Sequence, residues 1–406
     1  VNIRTITYFV DPGFPIAEER VEAAGRAMTE VKAALVEAGY TVQTLRLASI
    51  PFCDVLKGDA SKVVKFALDL EAICFVHGID YATLGPARPT DPPECFKSLP
   101  TALGGTQNIF ASAVIADPVG GLSLPAVQLA AEIIRRCSTV TPDGFCNLRF
   151  AALANVPAGA PFLPAAYHAG NVPLFSIGVE AASLAVKACA EAASLAEARA
   201  RLVRLVEDQA QKISNLAKKV SGARGLRFGG IDFSLAPYAE VDRSLGAAIE
   251  RLTGGKVGEA GSLAAAAFLA DTLDRARFQN VGFSGLFFPV FEDAVLAARA
   301  AEGRLSVNNL LLYSSVCGSG LDTIPLPGDV TVEALAAILV DVAALALRLG
   351  KPLTARLMPI PGKVAGDEVA FDFSYFAPTR VLSPRSGGLG GLFGGGETFD
   401  LAPRSR

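Results

Sequence analysis

The sequence predicts an α/β protein, one domain of 1–383 built around a mainly parallel sheet or barrel. Three observations carry that prediction. Strand-like and helix-like segments alternate along most of the chain, the pattern of sheets covered by helices. Hydrophobic residues make up 51% of the 406 residues and charged residues only 19%, so a sheet buried on both faces can be filled. No Pro/Gly/Ser-rich linker interrupts the middle of the chain; the low-complexity stretch is a glycine-rich tail, 384–406.

The elements follow in order. Residues 3–10 alternate and are rich in β-branched side chains, which reads as a first strand. "DPGFP" turns the chain into a helix from about 16 to 38, with Glu18 and Glu19 early and Gly39 as its stop. "TVQTLRLA", "DYATLGPA" and "NIFASAVIA" read as strands and 60–78 as a helix; 87–100 is proline-rich and reads as irregular. A helix is expected near 124–137, a strand over 145–156, a strand at "VPLFSIGVE", and helices through 181–220. "GLRFGGIDFSLAP" and "FSGLFFPV" read as strands, with helices at "RSLGAAIERL", capped by Asp242 and ended by Gly254, and at "EDAVLAARAAEG". "LTARLMPI" and "EVAFDFSYF" close the series of strands.

Composition excludes several functions. The net charge is −3, so no basic field points to nucleic acid or an anionic membrane. The most apolar run, 332–350, carries Asp341 in its middle and reads as a buried helix, not a membrane span. "VNIRTITYFV" has strand patterning and no signal-peptide pattern, so a cytoplasmic protein is expected. The seven cysteines, 53, 74, 95, 137, 146, 189 and 317, form no CxxC pair, which fits free thiols in a reducing compartment. With His77 and His168 alone, a multi-histidine metal centre is excluded. Any metal would be a hard cation such as Mg or Ca on carboxylates and carbonyls.

Four stretches hold residue types that carry chemistry. "ANVPAGAPFLPAAYHAG" places Asn155 at a strand end, where α/β proteins bind ligands. His168 sits in it among small residues that leave room around an imidazole, as a general acid/base or a structural hydrogen-bonding group. In "GGIDFSLAP", Asp232 and Ser234 alternate with apolar residues and so share a face. In "NVGFSGLFFPVFED", Ser284 and Gly285 suggest close backbone approach, and Glu292 and Asp293 read mainly as first-turn helix acids. "SSVCGSGLDTIPLPGD" brings Cys317, Gly318, Ser319, Gly320 and Asp322 together. Its glycines can form an anion nest, and Cys317 is either a thiol nucleophile or inert packing. No G-x-G-x-x-G or following Lys-Ser/Thr appears there, so no nucleotide cofactor is expected.

These same stretches, with "NIRTIT" near the start, resemble the uncharacterised domain-of-unknown-function family 711, in order and over most of the chain. "DFSLAP" and C-x-x-G-L-D-x-I are its most specific parts. The resemblance implies a ten-stranded α/β barrel similar to the pyruvate formate-lyase-like glycyl-radical enzymes. Two antiparallel five-stranded halves would enclose a threaded loop, with helices outside. It implies the fold and not the reaction. Phe110 stands where the family carries a cysteine, and the tail lacks a radical-bearing glycine motif, so no glycyl radical is expected. The resulting expectation is a cytosolic hydrolase, lyase or isomerase acting on a small polar or anionic metabolite. His168 would be the acid/base group, Asp232 or Asp322 its orienting carboxylate, and Asn155, Ser234, Ser284 and the 318–320 segment would bind substrate. A metabolite-sensing barrel is the alternative, and the apolar surplus fits a homodimer.

Overall fold

The structure is a computed structural model and describes residues 1–170 and 172–404. Ser405 and Arg406, the end of the expected tail, lie outside the described residues. Ten strands follow along the chain: β1 (Asn2–Phe9), β2 (Val42–Ala48), β3 (Tyr81–Ala87), β4 (Ile109–Asp117), β5 (Gly121–Ser123), β6 (Phe150–Ala154), β7 (Leu174–Glu180), β8 (Arg227–Asp232), β9 (Gly320–Pro327) and β10 (Leu353–Ile360). Three two-residue strands come last: β11 (Glu368–Val369), β12 (Thr379–Arg380) and β13 (Thr398–Phe399).

The main path runs β8-β7-β1-β2-β3-β4-β6-β10-β9. Strands β1, β2, β3, β4 and β6 are parallel. β7 and β8 run together but antiparallel to β1, and β10 and β9 run together but antiparallel to β6. The sheet is thus large and mostly parallel, with helices around it. Residues 283–290, expected as a strand, and the three before them instead touch β8, the chain just after it and β9 at isolated points. These are Ile231 with Asn280, Leu235 with Leu286, and Pro289 with Asp322. Left-handed backbone at Gly282 and Ser284, with φ of 71° and 39°, breaks the ladder there. What is observed is therefore the mostly parallel sheet and its helical surround, a coarser arrangement than the expected ten-stranded barrel.

The sheet strands are buried along nearly their whole length, which explains their continuous apolar reading. Helix Glu18–Glu37 buries Val21, Ala24, Met28, Val31 and Leu35, a stripe at helical spacing. Helix Val332–Leu349 starts at Thr331, whose hydroxyl accepts from Ala334 N–H, and ends at Gly350 in the left-handed conformation. Among the described residues no helix is long and apolar enough to cross a membrane.

Several expectations are corrected. Residues expected to be irregular contain helix Pro93–Gly104, because proline at the first turn starts a helix without losing a needed N–H. Ser244, not Asp242, caps helix Leu245–Thr253. Residues 145–149 form a 3₁₀ turn ahead of β6, and "EVAFDFSYF" is a strand only over β11; its aromatic residues pack on one another instead. Cys53 and Cys95 are joined in a disulfide, so the free-thiol reading is corrected for that pair, while 74, 137, 146, 189 and 317 are free. Pairing across 42 residues is set by where β2 and β3 end, which spacing alone does not show. The glycine-rich tail pairs through β13 with β5, and Leu389 N–H reaches the carbonyl of Glu333 at the start of helix Val332–Leu349.

Candidate functional site

A pocket lies between β1, β2, β3, β4, β6, β9 and β10 and the segments 162–165, 236–237, 283–292 and 373–375. One wall is charged and the others are mostly apolar and aromatic. The charged wall is assembled from single polar residues placed in apolar strands. Arg4 comes from β1 and Arg46 from β2. Asp322 and Arg356 face each other across β9 and β10, where the register slips between Ala355 and Leu357 and Thr323 adopts φ of 45°. A bulge of this kind re-aims side chains and is common beside active sites. Glu292 arrives from the 280–290 segment, one residue before Asp293 caps helix Ala294–Ala301.

These groups form a chain of buried ion pairs. Arg4 reaches Glu180 at 3.1 Å, also pairs with Glu292, and lies 4.8 Å from the Tyr375 ring centre. Arg356 donates to Glu292 at 2.8 Å and to Asp322 Oδ1 at 2.6 Å. Burial works against both guanidinium charges, but the adjoining carboxylates outweigh it and raise Arg4 and Arg356. Glu292 has both oxygens taken. Asp322 has one: its Oδ2 accepts no hydrogen bond among the described residues. Burial raises the Asp322 carboxyl above its ordinary value, with Arg356 pulling the other way.

Arg46 differs from its neighbours. It is 9% exposed, its Nε donates to Thr44 Oγ1 at 2.8 Å, and it lies 5.8 Å from the Tyr81 ring centre. No carboxylate pairs with it among the described residues, and the outer nitrogens of its guanidinium have no protein partner. Burial, and after it the charge of Arg4, pull it down to about 10. A buried cation without a counter-charge is costly and is a recurrent sign of an anion site.

Of the residues expected from sequence, Asp322 and Ser319 line this pocket and the others do not. Asp232 is fully buried and accepts from Ser234 Oγ at 2.5 Å, Phe283 N–H at 2.7 Å and Ser284 N–H at 2.9 Å. Burial raises it to about 6 against those bonds. Ser234 in turn accepts from Gly285 N–H, and Ser284 Oγ accepts from Phe233 N–H. A Cβ on Gly282 would stand 2.3 Å from Asp232 Oδ2, so the loop closes over the carboxylate only with glycine there. Asp232, Ser234 and Ser284 therefore form one internal lock.

His168 is 3% exposed and packs near Phe9, with its N–H on the carbonyl of Ser49. Burial lowers its ring pKa, against Asp11 and the Gly170 carbonyl. The expected anion nest is occupied by the protein itself. Gly318 N–H goes to Leu286 O, and Gly320 N–H goes to Cys317 Sγ at 3.2 Å. Gly318 also packs on Gly285 so closely that a Cβ on either would clash. The Cys317 carbonyl takes the Lys351 ammonium, and its side chain is buried. Asn155 spends its N–H on Ala116 O in a left-handed turn. No group of three or more His, Cys, Asp or Glu among the described residues is placed to hold a metal. With Glu292 saturated by arginines, the charged wall does not fit the hard cation considered above.

Sequence reasoning missed Arg4, Arg46, Arg356, Tyr375 and the pocket role of Glu292. One signal was present: "NIRTIT", "TLRLA" and "TARLMP" each set one arginine in an apolar strand, and arginine is seldom buried without a purpose.

The profile of the family described as "Uncharacterised ACR (DUF711)" matches residues 1–374. The chain belongs to the DUF711 family. Its relatives include a UPF0210 protein of Pyrobaculum aerophilum, 35% identical over 347 residues, covering 81% of this chain and 76% of that one. A UPF0210 protein of Methanopyrus kandleri is 32% identical over 374 residues, with 87% and 82% covered. One of Neisseria gonorrhoeae is 29% identical over 353 residues, with 82% and 77% covered. The DUF711 and UPF0210 names carry no activity. Phe110, at the position where the resemblance places a cysteine, lines the pocket and meets Tyr81 edge-on at 5.4 Å.

Proposed function

We propose that this DUF711 protein is an enzyme that binds a small anionic metabolite in the arginine-edged pocket and acts on it by proton transfer, as a lyase, isomerase or hydrolase. The observation that carries the reading is Arg46: a buried guanidinium, open to the cavity, without a counter-charge. An anion would complete it by a charge-assisted, two-pronged contact. Asp322 is the proton-transferring group. Its free Oδ2 and a carboxyl raised by burial suit a proton-transferring group, and Arg356 fixes its orientation. The surrounding aromatic residues keep water out and strengthen both interactions.

In this reading the pocket is the lumen of a closed ten-stranded barrel of the glycyl-radical-enzyme type. What supports it is the pairing of residues 280–290 with both edge strands, and the opposite run of β7 to β10 against the five parallel strands.

The test is thermal protection of the purified chain by simple anions: acetate, a dicarboxylate and inorganic phosphate. At least one should raise Tm in the wild type and fail to do so in Arg46→Gln. Equal protection of both proteins removes the reading. Exchange of a ligand C–H for deuterium in heavy water, followed by NMR and lost in Asp322→Asn, tests the chemical half. Protection without exchange or turnover would leave a binding protein.

A further inference from the structure

We propose that the ligand is an amphipathic hydroxy or amino acid. Its carboxylate lies on Arg46, its apolar body along Phe162, Phe283 and Phe287, and its hydroxyl or ammonium group donates to Asp322 Oδ2. This rests on the anion reading above and says what the rest of the molecule is.

The charged wall carries two complementary deficits. Within it, Arg4, Glu292 and Arg356 satisfy one another. Arg46 lacks an acceptor and Asp322 lacks a donor, and both line the same pocket. A molecule that fills both carries an anion and a hydrogen-bond donor. Arg46 fixes the anion: its outer nitrogens have no protein partner, and a planar carboxylate matches them in a two-pronged contact.

The rest of the ligand is set by the remaining wall. Phe162 lies tilted against Phe287 at 5.0 Å and Phe283 meets Phe287 edge-on at 5.7 Å, an aromatic face. Of the serine and threonine hydroxyls that line the pocket, Ser319 Oγ is turned to Leu286 O, Thr354 Oγ1 to Ser319 O and Thr44 Oγ1 to Arg4 O. Beyond the tyrosines 81 and 375, a polyol or sugar would find few hydroxyl partners there, a penalty that an apolar body avoids. Hydroxyl and ammonium donors share the same recognition chemistry, so the experiment separates them.

Four probes of one skeleton are titrated into the full chain by calorimetry: 3-phenylpropanoate, 3-phenyllactate, phenylalanine and 2-phenylethylamine. Phenyllactate or phenylalanine should bind about tenfold more tightly than phenylpropanoate, the effect expected of one hydrogen bond to a charged group. That advantage should vanish in Asp322→Asn, and phenylethylamine should not bind. Preference for phenyllactate assigns a hydroxy acid, and preference for phenylalanine an amino acid. Because the four probes are compared on the wild-type chain, the result stands even if a variant misfolds. Equal binding of phenylpropanoate and both others overturns the Asp322 contact and leaves the anion reading intact. Binding of phosphate through Arg46, with none of the carboxylates, overturns the carboxylate. Absence of binding by any anion overturns both.

Discussion

Arg149, just before β6, and Arg46, in β2, are buried to similar degrees, at 7% and 9% exposed, and neither meets a carboxylate among the described residues. Arg149 is nonetheless satisfied. Its guanidinium donates to the carbonyls of Thr106 at 2.9 Å, Leu103 at 2.8 Å and Ile109 at 3.3 Å, tying helix Pro93–Gly104 to the start of β4. Arg46 has Thr44 alone and faces a cavity. The same contrast separates the aspartates. Asp232 takes three donors inside a closed loop, while Asp322 keeps one oxygen unused. Burial of a charge does not mark function by itself; burial with unspent hydrogen-bonding capacity on a cavity wall does.

The comparison can be broken at either member. Arg149→Gln should destabilise the fold most, by about 4 kcal/mol in denaturant unfolding, because several carbonyls lose their donor at once. Anion binding should be unchanged in whatever fraction remains folded. Asp232 sharpens the second half through pH. Its folded pKa is raised from the ordinary 3.8 to about 6, so the native state holds the proton that the unfolded chain releases. Stability from this group is full below about pH 4 and is lost as pH rises to about 6. Across that window the wild type should lose up to about 3 kcal/mol relative to Asp232→Asn. An opposite slope would show that the three hydrogen bonds outweigh burial.

Arg46→Gln should weaken anion binding about 100-fold, and should leave the ligand-free protein as stable or about 1 kcal/mol more stable, since an unpaired buried charge is removed. Destabilisation comparable to that of Arg149→Gln would place Arg46 among structural residues. The smallest effect belongs to His168→Gln. Its ring is packed outside the pocket, so ligand affinity should change less than about twofold, within the range of a remote substitution. A large loss would return His168 to the site.

Much of the fold was legible because its strands and helices keep clear periods. Helix 124–137 and strands β1 to β4 lie where patterning puts them. Helix Pro93–Gly104 was hidden by its prolines, and residues 280–290 by glycine and serine positions that interrupt pairing while keeping a strand-like composition. The site was legible in part. Asp322 and Ser319 stood out in a small-residue motif, but that motif's amides serve the backbone. The arginines were missed because each reads locally as one polar residue in a strand. Their meaning appears only in pairs such as Arg4 with Glu292, 288 residues apart. No local pattern encodes a contact of that span.

That span also orders the chain in time. A ribosome adds about 5–20 residues per second, so Arg356 follows Arg4 by roughly 20–70 s. Through that interval Arg4 can meet Glu180, but the Glu292–Arg356–Asp322 part of its network is not yet complete. The charged wall of the pocket is therefore among the last parts of the DUF711 chain to be completed.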